Sequence, residues 1–342
     1  MTVRVARYVG EAGEWDAFVR AQPGWTAFHL YDWKPLIEGL YSHECPYLAA
    51  RDADGALAGV LPLVRVRSWL FGHYLVSMPF VNYGGPLGCA EAVKALVAAA
   101  VALADAGAVK LLELRSRTEL PLALPASHRK ITVVLDLPAD ADALRKQIGS
   151  KVRSQVKRPE KEGVTVRFGA DQVDPFYDVF ARHMRDLGTP AQPRALFRRI
   201  AAGFGDEAWF GCAYLNGRPI ACGAGFRWAK EFEMTWASSL YEFNRISPNM
   251  LLYWAFLERA IGEGLTLFNF GRCSVDSGTH RFKKQWGSRD EQLWWYQHGR
   301  NGEAAATPSP DDGSYAWGPR VWRHLPLPLA NLIGPLVVRS IP

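Results

Sequence analysis

The chain has 342 residues, and the same order of elements is written in it twice. That repeat constrains the fold more than any other feature. In the first half, residues 47–51 lead to Asp54-Gly55 and on to residues 58–63; in the second, residues 209–213 lead to Asn216-Gly217 and residues 220–224. Asp-Gly or Asn-Gly between short apolar runs predicts a hairpin, because these turn residues tolerate positive φ. A helix, a glycine and a buried strand follow in each half. The first copy is residues 90–106, Gly107 and 109–114 with Arg115 behind; the second is 248–262, Gly264 and 265–270 with Arg272 behind. With the glycines aligned, Arg115 and Arg272 fall at equivalent positions. Each half also opens on helical material, residues 12–19 and 32–40 against 175–185 and 194–203. The expected product is a duplicated α/β unit.

The second copy, from Asn244 to Gly287, carries the most chemistry. Ser247 is the expected helix N-cap, and Pro248 suits the first helical position because its missing N–H would be unpaired there. Leu251, Trp254, Leu257 and Ile261 recur at helical spacing, and Gly262 and Gly264 end the run. Beyond the strand, a loop holds Arg272, His280, Arg281, Lys283 and Lys284. A helix start and several cations at one sheet edge suit a ligand with phosphate or carboxylate, with Arg245 and Asn249 near the helix start as further contacts.

Residues 140–162 connect the halves. Leu144, Ile148, Val152 and Val156 form an inward stripe. Seven cations and one acid lie between Arg145 and Lys161, among them Lys151, Arg153, Lys157 and Arg158. This run either solvates a helix face or steers an anion. Pro159 is expected to stop the helix, since the residue before proline is pushed out of the α region.

Composition sets outer bounds. A formal charge of +6 fits anionic substrates, RNA or a membrane surface without choosing among them. Five scattered cysteines, with no C-x-x-C, argue against a disulfide framework or a zinc site and for a reducing cytoplasm. The N-terminus lacks the apolar core of a signal peptide. No metal-ligand cluster, P-loop or G-x-S-x-G elbow is present. DNA is not an expected partner. His280 is the candidate general base, with Asp276 and Asp186 behind it; Asp186 lies in residues 183–188, a segment expected to border an acceptor groove. Tyr83 is a candidate for stacking on a sugar or peptide. The segment 82–88, Asn-Tyr-Gly-Gly-Pro-Leu-Gly, is read as a turn rather than a phosphate loop. After Gly299 comes a Pro/Ser/Asp-rich linker, then an apolar run flanked by arginines and broken by Pro326, Pro328 and Pro335. That tail is too broken to span a bilayer; it either lies on a membrane surface or packs back as a strap, the favoured reading.

The repeated layout, the basic stretch from Arg145, the R-I-S-P-N-M-L-L-Y-W segment at 245–254 and G-T-H-R-F-K-K-Q-W-G at 278–287 resemble the FemAB-like branch of the GNAT superfamily. Within it, the chain is similar to FemAB-related proteins that accompany PEP-CTERM (exosortase) and exopolysaccharide systems. The resemblance implies two tandem GNAT-like domains, each a mixed, mostly antiparallel sheet flanked by helices, at 1–139 and 163–300, with a tail at 301–342. It implies transfer of an acyl or aminoacyl group, from acyl-CoA or aminoacyl-tRNA, to a cell-envelope or exopolysaccharide precursor. In that reading Lys283 sits near the reacting carbonyl and stabilises its oxyanion. The protein would be cytoplasmic, with peripheral contact to the inner membrane through its tail as one option. The alternative class is a non-catalytic protein of the same fold that binds RNA, a lipid-linked sugar or a partner enzyme. One departure narrows the claim: residues 245–250 place Pro248 where CoA-using domains have a phosphate-cradling glycine.

Overall fold

The computed structural model describes residues 2–68, 72–300 and 317–341. Of the linker expected at 301–318, residues 301–316 lie outside them, and its last two residues begin a helix. The described residues divide into two units: 2–130, 292–300 and 339–341 in the first, and 131–291 with 317–338 in the second.

The second unit is built on one seven-stranded sheet. Its order is Thr165–Phe168, Ala208–Leu215, Arg218–Trp228, Glu231–Ser239, Leu267–Cys273, Ile131–Asp136, Arg289–Gln292. Asn216 and Gly217 take φ of 50° and 78°, the left-handed values that a tight hairpin turn needs. Strand Glu231–Ser239 pairs in parallel with Leu267–Cys273, which requires a crossover, and helix Pro248–Gly262 supplies it. That helix is apolar nearly all round because it is buried nearly all round: Leu252, Trp254, Phe256, Leu257 and Ala260 are at most 1% exposed. Phe256 stacks near Phe232, which stacks on Trp209 at 4.5 Å. Leu144, Ile148, Val152 and Val156 join the same core. Each such buried side chain is worth about 1.5–3 kcal/mol.

The first unit contains two sheets. One runs Arg4–Arg7, Leu48–Arg51, Leu57–Leu61, Leu87–Gly88; the other runs Val64–Ser68, Gly72–Val76, Leu111–Ser116, Trp294–Gly299, Ala126–Ser127. Strands Leu57–Leu61 and Val64–Ser68 are one stretch interrupted at Pro62, which cannot donate to a ladder. Its counterpart Arg218–Trp228 has no proline at that point and stays whole.

The units do not follow the sequence boundaries at 139 and 163. Strand Ile131–Asp136 pairs with Leu267–Cys273 in the second unit, whereas Trp294–Gly299 pairs with Leu111–Ser116 in the first. Each sheet thus takes one interior strand from beyond the stretch that the repeat assigns to it. Pairings fix the alignment of the copies. Glu113 faces Gln297 and Arg115 faces Trp295; Asn269 faces Val134 and Arg272 faces Thr132. A bulge between Asn269 and Arg272 adds one residue, so both arginines stand two rungs beyond the Glu113 and Asn269 positions.

Three local expectations are corrected. The connecting segment is two helices, Ala141–Gln147 and Ser150–Lys161, and Pro159 lies inside the second rather than ending it. So close to the C-terminus the proline forfeits a single hydrogen bond, its ring is buried, and its carbonyl accepts from Glu162 and Val164. The cation-rich loop contains a helix, Gly278–Lys284, whose N-cap Ser277 accepts from His280 N at 3.1 Å. Ser247 occupies the N-cap position of the longer helix but is left-handed, with φ of 56° and no side-chain cap bond.

The tail folds into helices Trp317–Trp322 and Leu327–Val338. Arg323 donates to Leu187 O at 3.2 Å, and Arg185 donates to Leu325 O at 3.1 Å. Gly334 lies against the Ala191 backbone. The tail is a strap on the second unit. No helix among the described residues is long and apolar enough to cross a membrane.

Candidate functional site

Strands Glu231–Ser239 and Leu267–Cys273 pair at only three rungs, Glu231 with Leu267, Phe232 with Phe268 and Glu233 with Asn269, and then separate. The first keeps its bonds to Arg218–Trp228 on its far side as far as Ser239. Beyond Glu233, no strand among the described residues pairs with its near edge. Gly271, at φ of 74°, turns the second strand aside at the bulge. The gap opens into a cleft of about 260 Å³ lined by His183, Ala237, Ser238, Ser239, Asn249, Leu252, Tyr253, Gly278, Thr279 and Phe282.

His183 and Ser238 meet in this cleft. His183 Nδ1 lies 2.9 Å from Ser238 Oγ, and Tyr241 meets the imidazole edge-on at 5.4 Å. Burial holds the His183 pKa below its ordinary value, although the nearby Asp186 carboxylate pulls the other way. Nε2 has no partner among the described residues. Sequence reasoning marked residues 183–188 as bordering a groove but passed over the histidine, because Ser238 lies 55 residues away. Asp186 is paired with Arg185 at 2.7 Å.

The helix start at Pro248 is a poor phosphate cradle. Pro248 has no N–H, and Met250 N already donates to Ser247 O at 3.0 Å. Asn249 lines the cleft; Arg245 is exposed on the turn Tyr241–Ile246 just before it.

Lys283 stands elsewhere than expected. It is 3% exposed, is absent from the cleft lining, and donates from Nζ to Gly271 O at 2.6 Å and Arg272 O at 3.1 Å. Burial lowers its pKa to about 8, opposed by the nearby Cys273 and Glu233. Its ammonium ties down the two bulge carbonyls. His280 is likewise committed. Its Nδ1 accepts from Asp276 N at 3.0 Å, so Nε2–H points at Asp290, 3.0 Å away. Partial burial pushes the Asp290 carboxyl up, but hydrogen bonds from His280 and Lys284 outweigh it and hold its pKa below the ordinary value. Lys284 pairs with Asp290 at 3.2 Å and Arg281 donates to Asp276 O at 2.8 Å. The cations of residues 280–284 thus fasten a helix. Arg272 is half-buried beside the bulge.

On the basic helix, Arg153 caps the preceding helix by donating to Arg145 O at 3.2 Å and Ile148 O at 2.5 Å, whereas Lys151, Lys157 and Arg158 are exposed. In the first unit, Arg115 is buried, bonded to buried Glu113 at 2.8 Å and set 4.5 Å over Trp295. The gap corresponding to the cleft is stitched shut there. Ser77 N donates to Glu113 O, Arg115 N to Ser77 Oγ, and Gly84 N to Arg115 O. Residues 82–86 pack as irregular backbone against strand Leu111–Ser116, with Tyr83 1% exposed against Phe28 and beside Arg117, and Leu87–Gly88 is a strand of the other sheet rather than part of a turn. Arg115 and Tyr83 still line a separate pocket of about 270 Å³ with His29 and Arg117.

A pair of parallel strands that part beside a crossover helix, in a chain whose halves repeat, decides the fold. It is a tandem GNAT-like pair. Residues 145–284 match the family described as Acetyltransferase (GNAT) domain. A crystal structure of FemX superposes with a TM-score of 0.65 at 16% identity, covering 86% of this chain and 97% of that one. The C-terminal domain of a putative lysylphosphatidylglycerol synthetase from Agrobacterium fabrum gives 0.56 at 13% identity, covering 83% and 90%. A tandem GNAT protein from the clavulanic acid biosynthesis pathway gives 0.51 at 13%, covering 89% and 100%. At such identities the likeness speaks for the fold. No curated protein matches the chain in sequence.

Proposed function

We propose that this protein transfers an acyl or aminoacyl group to an amine in the cleft of the second unit, with His183 as general base. The observation that carries the proposal is the placement of the His183–Ser238 pair in the cleft beside the parting strands, where the first-unit strands are stitched together instead. We assign the Nδ1–H tautomer, in which Ser238 Oγ accepts at 2.9 Å and Nε2 is the basic nitrogen, and burial favours the neutral ring. The acceptor amine attacks the donor carbonyl, Nε2 takes its proton, and the tetrahedral intermediate expels the donor's leaving group. Backbone N–H groups on the open edge beyond Glu233 stabilise the oxyanion.

The donor is held without a phosphate cradle, since Pro248 and Met250 withhold two first-turn donors. This favours an aminoacyl or other acyl carrier over CoA bound through its pyrophosphate. Asn249 contacts the donor, with Arg245 and Arg272 as the cations for an anionic part. The acceptor is a precursor of the cell envelope or of an exopolysaccharide, the class implied by the resemblance of residues 245–254 and 278–287. Likeness to a putative lysylphosphatidylglycerol synthetase domain supports an aminoacyl donor.

The test is mass-spectrometric detection of transfer from aminoacyl-tRNA and from acyl-CoA to amine-bearing envelope precursors. His183→Ala should lower turnover by about 10²–10⁴ while Asn249 variants raise KM. Wild-type turnover in His183→Ala would overturn the assignment.

A further inference from the structure

The strap buries its small residues and turns its large ones outward. On helix Leu327–Val338, Ala330 and Gly334 face inward, and Gly334 packs on the Ala191 backbone. Leu329, Leu332 and Leu336 are 40%, 72% and 59% exposed. Their spacing of three and four residues puts them on one helix face. Val321, at 55%, lies on the preceding helix, and Leu187, at 40%, ends helix Val173–Leu187, where its carbonyl accepts from Arg323. Large apolar side chains exposed singly are ordinary; a contiguous helical stripe is not.

The surrounding chemistry selects the occupant. Helix Leu327–Val338 contains no charged residue, and Arg320 and Arg323 stand immediately before it, both exposed. A strap meant to face water would carry charge on its outer face. One meant to meet a second protein would more often carry polar groups among its apolar ones. An uncharged leucine stripe bordered by arginines has the pattern of a helix lying in a bilayer interface, with leucines among the acyl chains and guanidinium groups at the phosphates. At 12 residues, about 18 Å, the helix is too short to span and long enough to lie flat.

We propose that the second unit docks on anionic membrane through Leu329, Leu332 and Leu336, with Arg320 and Arg323 binding lipid phosphate. This surface is independent of the cleft chemistry and stands whether or not His183 acts as a base. It makes the strap both a structural element and a membrane contact.

The experiment is flotation of the full chain with vesicles of phosphatidylcholine alone and of phosphatidylcholine with one quarter phosphatidylglycerol. Wild type should float with the anionic vesicles, at least about tenfold more than with neutral ones, and less as salt rises. Leu332→Asp/Leu336→Asp should lose at least about tenfold of that binding, with an unchanged near-UV circular dichroism spectrum and melting temperature. Arg320→Glu/Arg323→Glu should abolish the preference for anionic lipid. Equal binding by wild type and the leucine variant would overturn the proposal, as would absence of wild-type flotation. A wild-type dimer that the leucine variant converts to monomer, without flotation by either, would assign the stripe to a second copy of the chain instead.

Discussion

Lys283 Nζ lies 2.6 Å from the carbonyl oxygen of Gly271. This bond ties the short helix Gly278–Lys284 to the bulge that turns strand Leu267–Cys273 away from its parallel neighbour. The lysine thus shapes the cleft from behind without entering it.

Substituting Lys283→Met should therefore cost stability as well as activity. The bulge carbonyls lose their donor, a penalty of about 1–3 kcal/mol, and denaturant unfolding of the variant should register it. Lys283→Ala adds a cavity and should cost more.

The same lysine gives a signed pH effect. Its folded pKa of about 8 lies below the ordinary 10.5, so between these values the unfolded chain binds the extra proton. Stability then rises with pH across that window, because a charging penalty present below pH 8 is relieved. The contribution is on the order of 3 kcal/mol between pH 8 and 10.5. The unfolding free energy of wild type minus that of Lys283→Met should rise with pH across that range. A flat difference would mean that the ammonium is not buried as described.

His183 predicts the acid limb of catalysis. Because burial lowers its pKa, kcat/KM should fall only below the ordinary histidine range, with an apparent pKa under 6.5. Asp186→Asn should move that limb lower still, because that carboxylate is what pulls the pKa up against burial. His183→Ala should remove it.

Free coenzyme A at about 1 mM should shift the melting temperature by less than about 1 °C, since a ligand with Kd near or above its concentration adds little to stability. A larger shift would restore the CoA reading and reassign the helix start at Pro248.

Arg115→Ala should destabilise the first unit by about 3–5 kcal/mol, because it leaves Glu113 buried beside Gln297 and Trp295 without its counter-charge. The double change Glu113→Leu/Arg115→Met should recover most of that loss. A substrate-binding arginine would behave differently, losing affinity with little change in unfolding.

Local pattern made much of this legible. The hairpin at Asn216-Gly217, the stripe at 144, 148, 152 and 156, the crossover helix at Pro248 and the equivalence of Arg115 with Arg272 all rest on spacing within a few dozen residues, and all are present. What was hidden rests on register between distant strands. Residues 131–136 and 294–299 read as ordinary apolar strands, and nothing in them names the sheet that each enters. His183 was overlooked because its partner lies on another element. The cations at 280–284 looked like a ligand site because their partners Asp276, Asp290 and the bulge carbonyls are brought near only by the fold. A signal for the capped helix was present in Ser277, whose side chain precedes a helix start by the usual N-cap logic.

The exchange of strands has a consequence during synthesis. The five-stranded sheet of the first unit lacks an interior member until Trp294–Gly299 has left the ribosome, on the order of ten seconds after residue 130 is made. For that interval strand Leu111–Ser116 has an open edge, and a chain cut after residue 139 would never close it. The five-stranded sheet of the first unit can close only after the whole sheet of the second has been made.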